Sequence, residues 1–313
     1  MSDMDDTALF HGDGVRRRVP LPPAPPWRRF ADRGDALKPE PYLIGPEHRQ
    51  VVDVAVRLRR PLLVTGPAGT GKSSLARAVA HELDLGAPLV WPVNSRSTVR
   101  DALYQYDAIG RLRETNLRRD RDEPEPSIGQ FVRLGPLGSA LLPADRPRML
   151  LIDEMDKGDV DLPNDLLTVF EDGMFDIPEL FRLPADQSRV PVLTADGAHP
   201  AVLERGRVRC REFPVVIITS NGERDFPPAF LRRCVRLELP VPGEDRLRAI
   251  VAAHLGSGAL EGVDDLLDSF LSRRAGELAT DQLLNAVFLR RCGVNLDAEG
   301  LLEAVLHQLT GTV

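Results

Sequence analysis

Eight consecutive residues, Gly66, Pro67, Ala68, Gly69, Thr70, Gly71, Lys72 and Ser73, carry the densest chemical signal in the chain, and they follow directly on the apolar run Leu62-Leu63-Val64. A glycine-rich turn between a strand and a helix lets successive backbone N–H groups point inward at phosphate oxygens. Gly66, Gly69 and Gly71 supply that freedom, with Pro67, Ala68 and Thr70 filling the turn between them. Lys72 can reach the β- and γ-phosphates of a nucleotide, Ser73 can offer its hydroxyl to Mg²⁺, and Ser74 adds the next backbone group. Leu75, Val79 and Leu83 then recur at helical spacing beside Ala76 and Ala80. The loop therefore opens a helix whose N-terminal dipole also favours anions, and the chemistry indicated is the binding of a nucleoside triphosphate.

Hydrolysis of a bound triphosphate needs carboxylates as well. Residues 149–154, Met-Leu-Leu-Ile-Asp-Glu, read as a buried strand ending in two acids. Asp153 suits the Mg²⁺ shell, and Glu154 suits the orientation and deprotonation of an attacking water. The bland alternative is an acidic pair capping a strand in solvent, which a preceding phosphate loop disfavours. The acids that follow, Asp156, Asp159 and Asp161, fail the spacing of a calcium loop and are assigned to a loop and helix start before residues 166–170. Residues 215–221, Val-Val-Ile-Ile-Thr-Ser-Asn, form a second buried strand ending in polar side chains. The Asn221 amide would sit beside the γ-phosphate and the lytic water if this strand neighbours the phosphate-loop strand. Otherwise Asn221 is a turn former before Gly222. Arg232 and Arg233 stand at the end of a short helix, either as a solvated pair or reaching into a neighbouring subunit to stabilise transition-state charge.

The elements that must position these groups alternate, strand then helix, from residue 42 to residue 239. Continuous apolar runs at 61–65, 89–94, 149–153, 215–219 and 235–239 have the pattern of strands buried on both faces, so the fold class is α/β with a mostly parallel five-stranded sheet in a three-layer αβα core. A helix over 48–59 precedes the first strand. Two regions break the alternation: 111–134, charged and proline-bearing, and 175–211, where short β-like pieces at 175–177 and 190–193 suggest hairpins. Pro240-Val241-Pro242-Gly243 reads as a hinge, and helical patterns centred on 246–255, 263–274, 281–291 and 298–308 follow as a small all-α domain over 241–313. Thr280 and Asp297 are the expected N-caps of the last two. The domain limits are thus 1–40 for a proline- and arginine-rich tail, 41–240 for the nucleotide-binding domain and 241–313 for the helical domain. The tail is expected to be largely disordered; Trp27 and Phe30 are out of place in a purely solvated segment, and docking on the body or on a neighbouring subunit is the alternative to plain disorder.

Composition narrows the function classes. Hydrophobic residues are 42% of 313, enough for a sizeable core, and the formal net charge of −7 argues against a general nucleic-acid coat. Cys210, Cys234 and Cys292 are far apart with no C-x-x-C spacing, which suggests a reducing compartment. The acidic start has no apolar core of the secretory type, and no apolar run approaches the ~18 residues needed to span a membrane. A cytoplasmic protein is expected.

Taken together the motifs resemble those of AAA+ ATPases over about residues 42–308. Gly66 to Ser73 matches the Walker A loop, residues 150–154 the Walker B strand, Asn221 the sensor 1 position, and Arg233 with Arg232 beside it the arginine-finger position. The helical domain resembles the AAA+ lid. The chain is more narrowly similar to the MoxR-like group, whose clade carries an insert in helix 2. That likeness is carried by Asn94-Ser95-Arg96-Ser97-Thr98 before Asp101, by Gly135-Pro136-Leu137-Gly138, by residues 166–170 before Glu171-Asp172-Gly173, and by Ser220-Asn221 before residues 226–231. The resemblance places the insert at 111–134 and a pre-sensor hairpin within 175–211. It implies ATP and Mg²⁺ as cofactors, a homo-oligomeric and hexameric ring, hydrolysis between subunits, a partner with a von Willebrand factor A domain, and the remodelling of a protein client or help with metal and cofactor insertion. One departure stands out. MoxR-like chains often carry a sensor 2 arginine at the start of the third lid helix, where this chain reads Glu277-Leu278-Ala279-Thr280-Asp281-Gln282, with Arg273 and Arg274 just upstream.

Two other functions compete. A nucleic-acid motor would use Arg182, Arg189, Arg205, Arg207, Arg209 and Arg211, around the hairpin region, to track phosphates in a pore; salt bridges are the plainer use for them. A nucleotide-gated scaffold without turnover is disfavoured by the presence of both Asp153 and Glu154.

Overall fold

The structure, a computed structural model, describes residues 9–10, 13–29, 42–197, 200–272, 278–296 and 300–306. Phe30, Arg273, Arg274, Glu277 and Asp297 lie outside the described residues. The chain divides into two compact units. One is α/β and spans Ile44–Gly66 and Lys72–Leu239; the other holds the described residues of Met1–Leu43, Pro67–Gly71 and Pro240–Val313.

In the α/β unit, helix α1 (Pro46–Leu58) begins with proline in its first turn and ends where Arg59 turns left-handed at φ 50°. Strand β1 (Leu62–Thr65) leads through the glycine loop to α2 (Lys72–Glu82), which buries Leu75, Ala76, Val79 and Ala80. Strand β2 (Leu89–Pro92), α3 (Val99–Leu103), β3 (Tyr104–Tyr106), α4 (Ala108–Asp120), β4 (Val132–Leu134), α5 (Pro136–Ala140), β5 (Met149–Asp153) and α6 (Leu162–Asp172) follow. Next come β6 (Met174–Asp176), α7 (Pro178–Phe181), β7 (Arg189–Val192), β8 (Ala201–Glu204), β9 (Arg207–Arg209), β10 (Val215–Ser220), α8 (Pro228–Leu231) and β11 (Val235–Glu238).

The five apolar runs form one sheet in the order β11-β1-β10-β5-β2, and every pairing is parallel. All residues of β10 are buried, as are Met149 to Ile152 of β5, which is the burial expected of central parallel strands. The register sets Thr65 opposite Ser220, and Ile218 opposite Ile152. The carboxyl ends of the three central strands therefore lie side by side, where open α/β sheets bind ligands.

The departures from simple alternation are more ordered than their composition suggests. The excursion expected to begin at residue 111 begins at Tyr104, because β3 pairs antiparallel with β4 and the buried Tyr104 stands opposite the buried Leu134. Between them Asp107 caps α4, its carboxylate accepting from Gly110 N at 2.7 Å. The Gly135-Pro136-Leu137-Gly138 stretch gains a physical reason here: a Cβ on Gly138 would stand 1.9 Å from Leu103 O, so only glycine lets α5 lie against that backbone. In the hairpin region β6, β9, β8 and β7 make a four-stranded antiparallel sheet. The two pieces read from sequence are β6 and β7. The other two, β8 and β9, are joined by a tight turn with Arg205 at φ 50° and Gly206 at φ 66°.

In the second unit, α9 (Glu244–Leu255), α10 (Asp264–Ser272), α11 (Thr280–Arg291) and α12 (Leu301–Val305) surround Leu247, Val251, Leu266, Leu267, Phe270, Leu283 and Val287. The N-cap of α11 is Ala279, not Thr280: Gln282 reaches back and its carbonyl accepts from Ala279 N at 2.9 Å, so the helix starts at Thr280, one residue earlier than a cap at Thr280 would give. Trp27 packs on this core, edge-on to Phe288 at 5.9 Å, and donates its indole N–H to Asn285 Oδ1 at 3.1 Å. The proline-rich segment thus has an anchored point.

Candidate functional site

The phosphate loop is set by its backbone. Gly66, Gly69 and Gly71 have φ of 147°, 73° and 86°, values that a side chain would strain. Thr70 closes the turn by donating to Pro67 O at 2.9 Å. In the helical unit the loop apex lies directly against the start of α11, where a Cβ on Gly69 would meet Ala279 Cβ at 2.4 Å. Ala279 and Thr280 at this point are small enough for close backbone approach. A Cβ on Gly71 would stand 3.2 Å from the Tyr42 ring, and burial pushes the Tyr42 phenol up to about 12.

Past the loop, Lys72 is 8% exposed and donates to Gly66 O at 2.8 Å. Burial lowers its ammonium from the usual lysine range, while Asp156, Asp153 and Glu154 pull it back up. Ser73 donates to Asp153 Oδ1 at 2.7 Å, so the two residues assigned to the metal share one hydrogen bond across the ends of α2 and β5. Ser74 is half-buried in the first turn of α2.

The two acids are held by a residue to which the sequence reading gave no role. Thr219 of β10, 1% exposed, donates to Asp153 Oδ1 at 2.6 Å and accepts from Glu154 N at 2.9 Å. One hydroxyl thereby fixes both carboxylate-bearing residues. The signal was present in the sequence: Thr219 and Ser220 are hydroxyls at the end of a strand that is otherwise wholly apolar, and buried polar groups need partners. Glu154 adopts φ 59°, a left-handed conformation costing about 1–2 kcal/mol for a side-chain-bearing residue. Strain of this kind gathers at functional positions. Its carboxylate pairs with Lys157 Nζ at 2.8 Å, and that bond holds the Lys157 ammonium above its ordinary value.

Asn221 follows β10 at the level of Gly66, since Ser220 pairs with Thr65. Its strand, β10, lies next to β1 in the sheet. Its backbone N–H donates to Asp156 Oδ2 at 2.8 Å. Asp156, set aside in sequence with the loop acids, is 3% exposed. At the end of α8, Arg233 forms an ion pair with Glu171 of α6 and donates to Ala229 O at 3.0 Å. Arg232 is exposed, its backbone N–H donates to Pro228 O at 3.2 Å, and its side chain has no hydrogen-bond or ion partner among the described residues. Of the hairpin arginines, Arg207 pairs with Asp176 at 2.8 Å and Arg211 with Asp145 at 3.3 Å. Burial pushes the Cys234 thiol up to about 12, which makes it a packing group.

A parallel sheet with the strand carrying the phosphate loop beside the strand carrying Asn221, and paired acids after the next, defines a P-loop nucleotide-binding domain followed by a helical region. The family model of the AAA domain, dynein-related subfamily, matches residues 61–234, more than half of the chain, and the chain belongs to that family. Among solved structures it is similar to NtrX from Brucella abortus in complex with ATP, at 17% identity and a TM-score of 0.46 over 88% of this chain and 59% of that one. The same protein in complex with ADP gives 15% identity and a TM-score of 0.43 over 85% and 54%. The chain therefore spans little more than half the length of these neighbours. No curated protein sequence matches it. No helix among the described residues is long and apolar enough to cross a membrane.

Proposed function

We propose that the protein is a MoxR-like AAA+ ATPase that binds ATP in the Gly66 to Ser73 loop and hydrolyses it at the interface of a hexameric ring. The observation that carries this reading is the meeting of Ser73 and Asp153, 2.7 Å apart, beside the buried Lys72. A cation pulled below its normal ionisation by burial is a ready partner for an anion, and a triphosphate offsets the remaining desolvation. A hydroxyl and a carboxylate are hard oxygen donors that suit Mg²⁺, which keeps most of its ligands as water and phosphate oxygens. Ser73 and Asp153 would hold that ion, and when bound it neutralises charge on the β- and γ-phosphates.

The chain's own groups then divide the work. Backbone N–H groups of the loop and Lys72 hold the phosphates. Glu154, leaving Lys157, takes the proton of the attacking water. The Asn221 amide orders that water at the γ-phosphate. Arg232, exposed and unpaired, is the group available to reach a neighbouring subunit's γ-phosphate, with Arg233 and Glu171 bracing the helix end that presents it. The coupling of hydrolysis to a protein client, with a von Willebrand factor A domain partner, rests on the MoxR-like motifs. The pairing of Arg207 and Arg211 with acids favours a structural use of the hairpin arginines over a nucleic-acid track.

The test is Glu154→Gln. It is expected to bind ATP as tightly as the parent while turnover falls by about 10²–10⁴-fold. Unchanged turnover would remove Glu154 from the reaction.

A further inference from the structure

Asp156 has no part in the reading above, yet it is a buried carboxylate at the centre of the site. Sinking a carboxylate this far costs several kcal/mol unless its oxygens are hydrogen-bonded. Oδ2 is: it accepts from Asn221 N at 2.8 Å and from Glu223 N at 3.1 Å. Oδ1 is buried with no hydrogen-bond partner among the described residues. A second tie runs alongside, from Arg224 Nη1 to Gly158 O at 3.0 Å. The loop after β10 is thus fastened to the turn after β5 at two places, and the turn is the segment that begins with Glu154.

We propose that Asp156 is a positioning residue for hydrolysis: it clamps the 221–224 loop onto the turn that starts at Glu154, so that the Asn221 amide and the Glu154 carboxylate meet the γ-phosphate and its water as one rigid piece. The proposal rests on the assignment of those two residues to the reaction. Asn221 has left the ladder of β10, so its N–H needs an acceptor that no strand supplies, and Asp156 is that acceptor. Thr219, one turn of the pleat earlier, already joins β10 to Asp153 and to the N–H of Glu154. With Asp156 the joint extends across both loops, and the reacting groups no longer depend on two independent loop conformations.

The experiment compares full-length parent, Asp156→Ala, Asp156→Asn and Glu154→Gln in ATP turnover, ATP affinity and amide hydrogen exchange at residues 221 and 223. Asparagine keeps an oxygen that can accept both N–H groups and removes the charge; alanine removes both. The clamp predicts that Asp156→Ala lowers kcat by about 100-fold, the cost of roughly 1 Å of misplacement. ATP affinity should hold within about threefold, the signature of a lost transition-state arrangement and not of lost binding. The amides of Asn221 and Glu223 should exchange faster in Asp156→Ala, and Asp156→Asn should recover both slow exchange and most of the turnover. Parent-like turnover in Asp156→Ala overturns the proposal. So does an Asp156→Asn protein with slow exchange and no activity, which would mean that the carboxylate acts by its charge near Lys72. Should Asp156→Ala fail to fold, Asp156→Asn decides alone, by the same two readouts. The two readings fail separately: undiminished turnover in Glu154→Gln removes the base, whereas unchanged amide exchange in Asp156→Ala removes the clamp.

Discussion

The carboxyl ends of the parallel strands and the core of the helical unit are stabilised in opposite ways. At the strand ends, Ser73, Asp153, Thr219 and the Glu154 N–H form one chain of short hydrogen bonds, and Asp156 with the N–H groups of Asn221 and Glu223 forms a second set beside it, among half-buried and buried groups. Each bond is directional, and single side-chain atoms serve two partners at once, as the Thr219 hydroxyl does. In the helical unit, Leu247, Val251, Leu266, Leu267, Phe270, Leu283 and Val287 fill a core in which no single contact is irreplaceable, with Arg–Asp pairs outside it. The difference separates chemistry from stability. A one-atom change at the strand ends should act on turnover, and a volume change in the helical core should act on folding.

The sharpest break on the folding side is Leu267→Ala. Leu267 is fully buried, and its truncation should cost the helical unit about 2–5 kcal/mol in denaturant unfolding. A loss near zero would mean that this core is too loosely packed for the contrast drawn here. On the chemical side, Thr219→Val keeps the shape and removes the hydroxyl that joins Asp153 to Glu154. It leaves the part-buried Glu154 N–H unpaired, worth about 1 kcal/mol, and kcat should fall about 10–100-fold as the acids lose their alignment. Steady-state turnover at saturating ATP checks it, and parent-like turnover would show that the network is ornamental.

The smallest effect is at the surface of the helical unit, where Arg290 grips both oxygens of Asp265 at 2.6 Å. Asp265 is 60% exposed, so Asp265→Asn should cost under about 1 kcal/mol. The Arg290 guanidinium holds the Asp265 carboxyl below the usual carboxylate range. Its contribution is therefore present above an unfolded pKa near 4 and lost as pH falls through the lower folded value. The stability gap between parent and variant should accordingly close on acidification, and a gap that widened would reverse the assignment.

The same contrast explains what could be read in advance. The five sheet strands were legible because strands buried on both faces are unbroken apolar runs, and the phosphate loop was legible because its glycines and lysine are adjacent in sequence. Strands β8 and β9 were not: each is three or four residues long, and its pairing depends on the Arg205–Gly206 turn. The start of the inserted region was missed because Tyr104 and Tyr106 gain a strand partner only when residues 132–134 return. Thr219 and Asp156 escaped for a related reason. Their roles follow from the register of β10 against β5 and from a turn that brings residue 156 under residue 221, and neither relation exists along the chain. The N-cap of α11 turned on a side chain reaching backwards from Gln282, which a search for Ser, Thr, Asp or Asn at the cap position does not detect.

The central claim is that the Gly66 to Ser73 loop and Lys72 grip a triphosphate. Calorimetric titration of ATP with Mg²⁺ into the full-length parent and into Lys72→Ala tests it most directly. The parent should give saturable heat that disappears when Lys72 is replaced. A parent that takes up no ATP, or a Lys72→Ala protein that binds it equally well, would contradict the account.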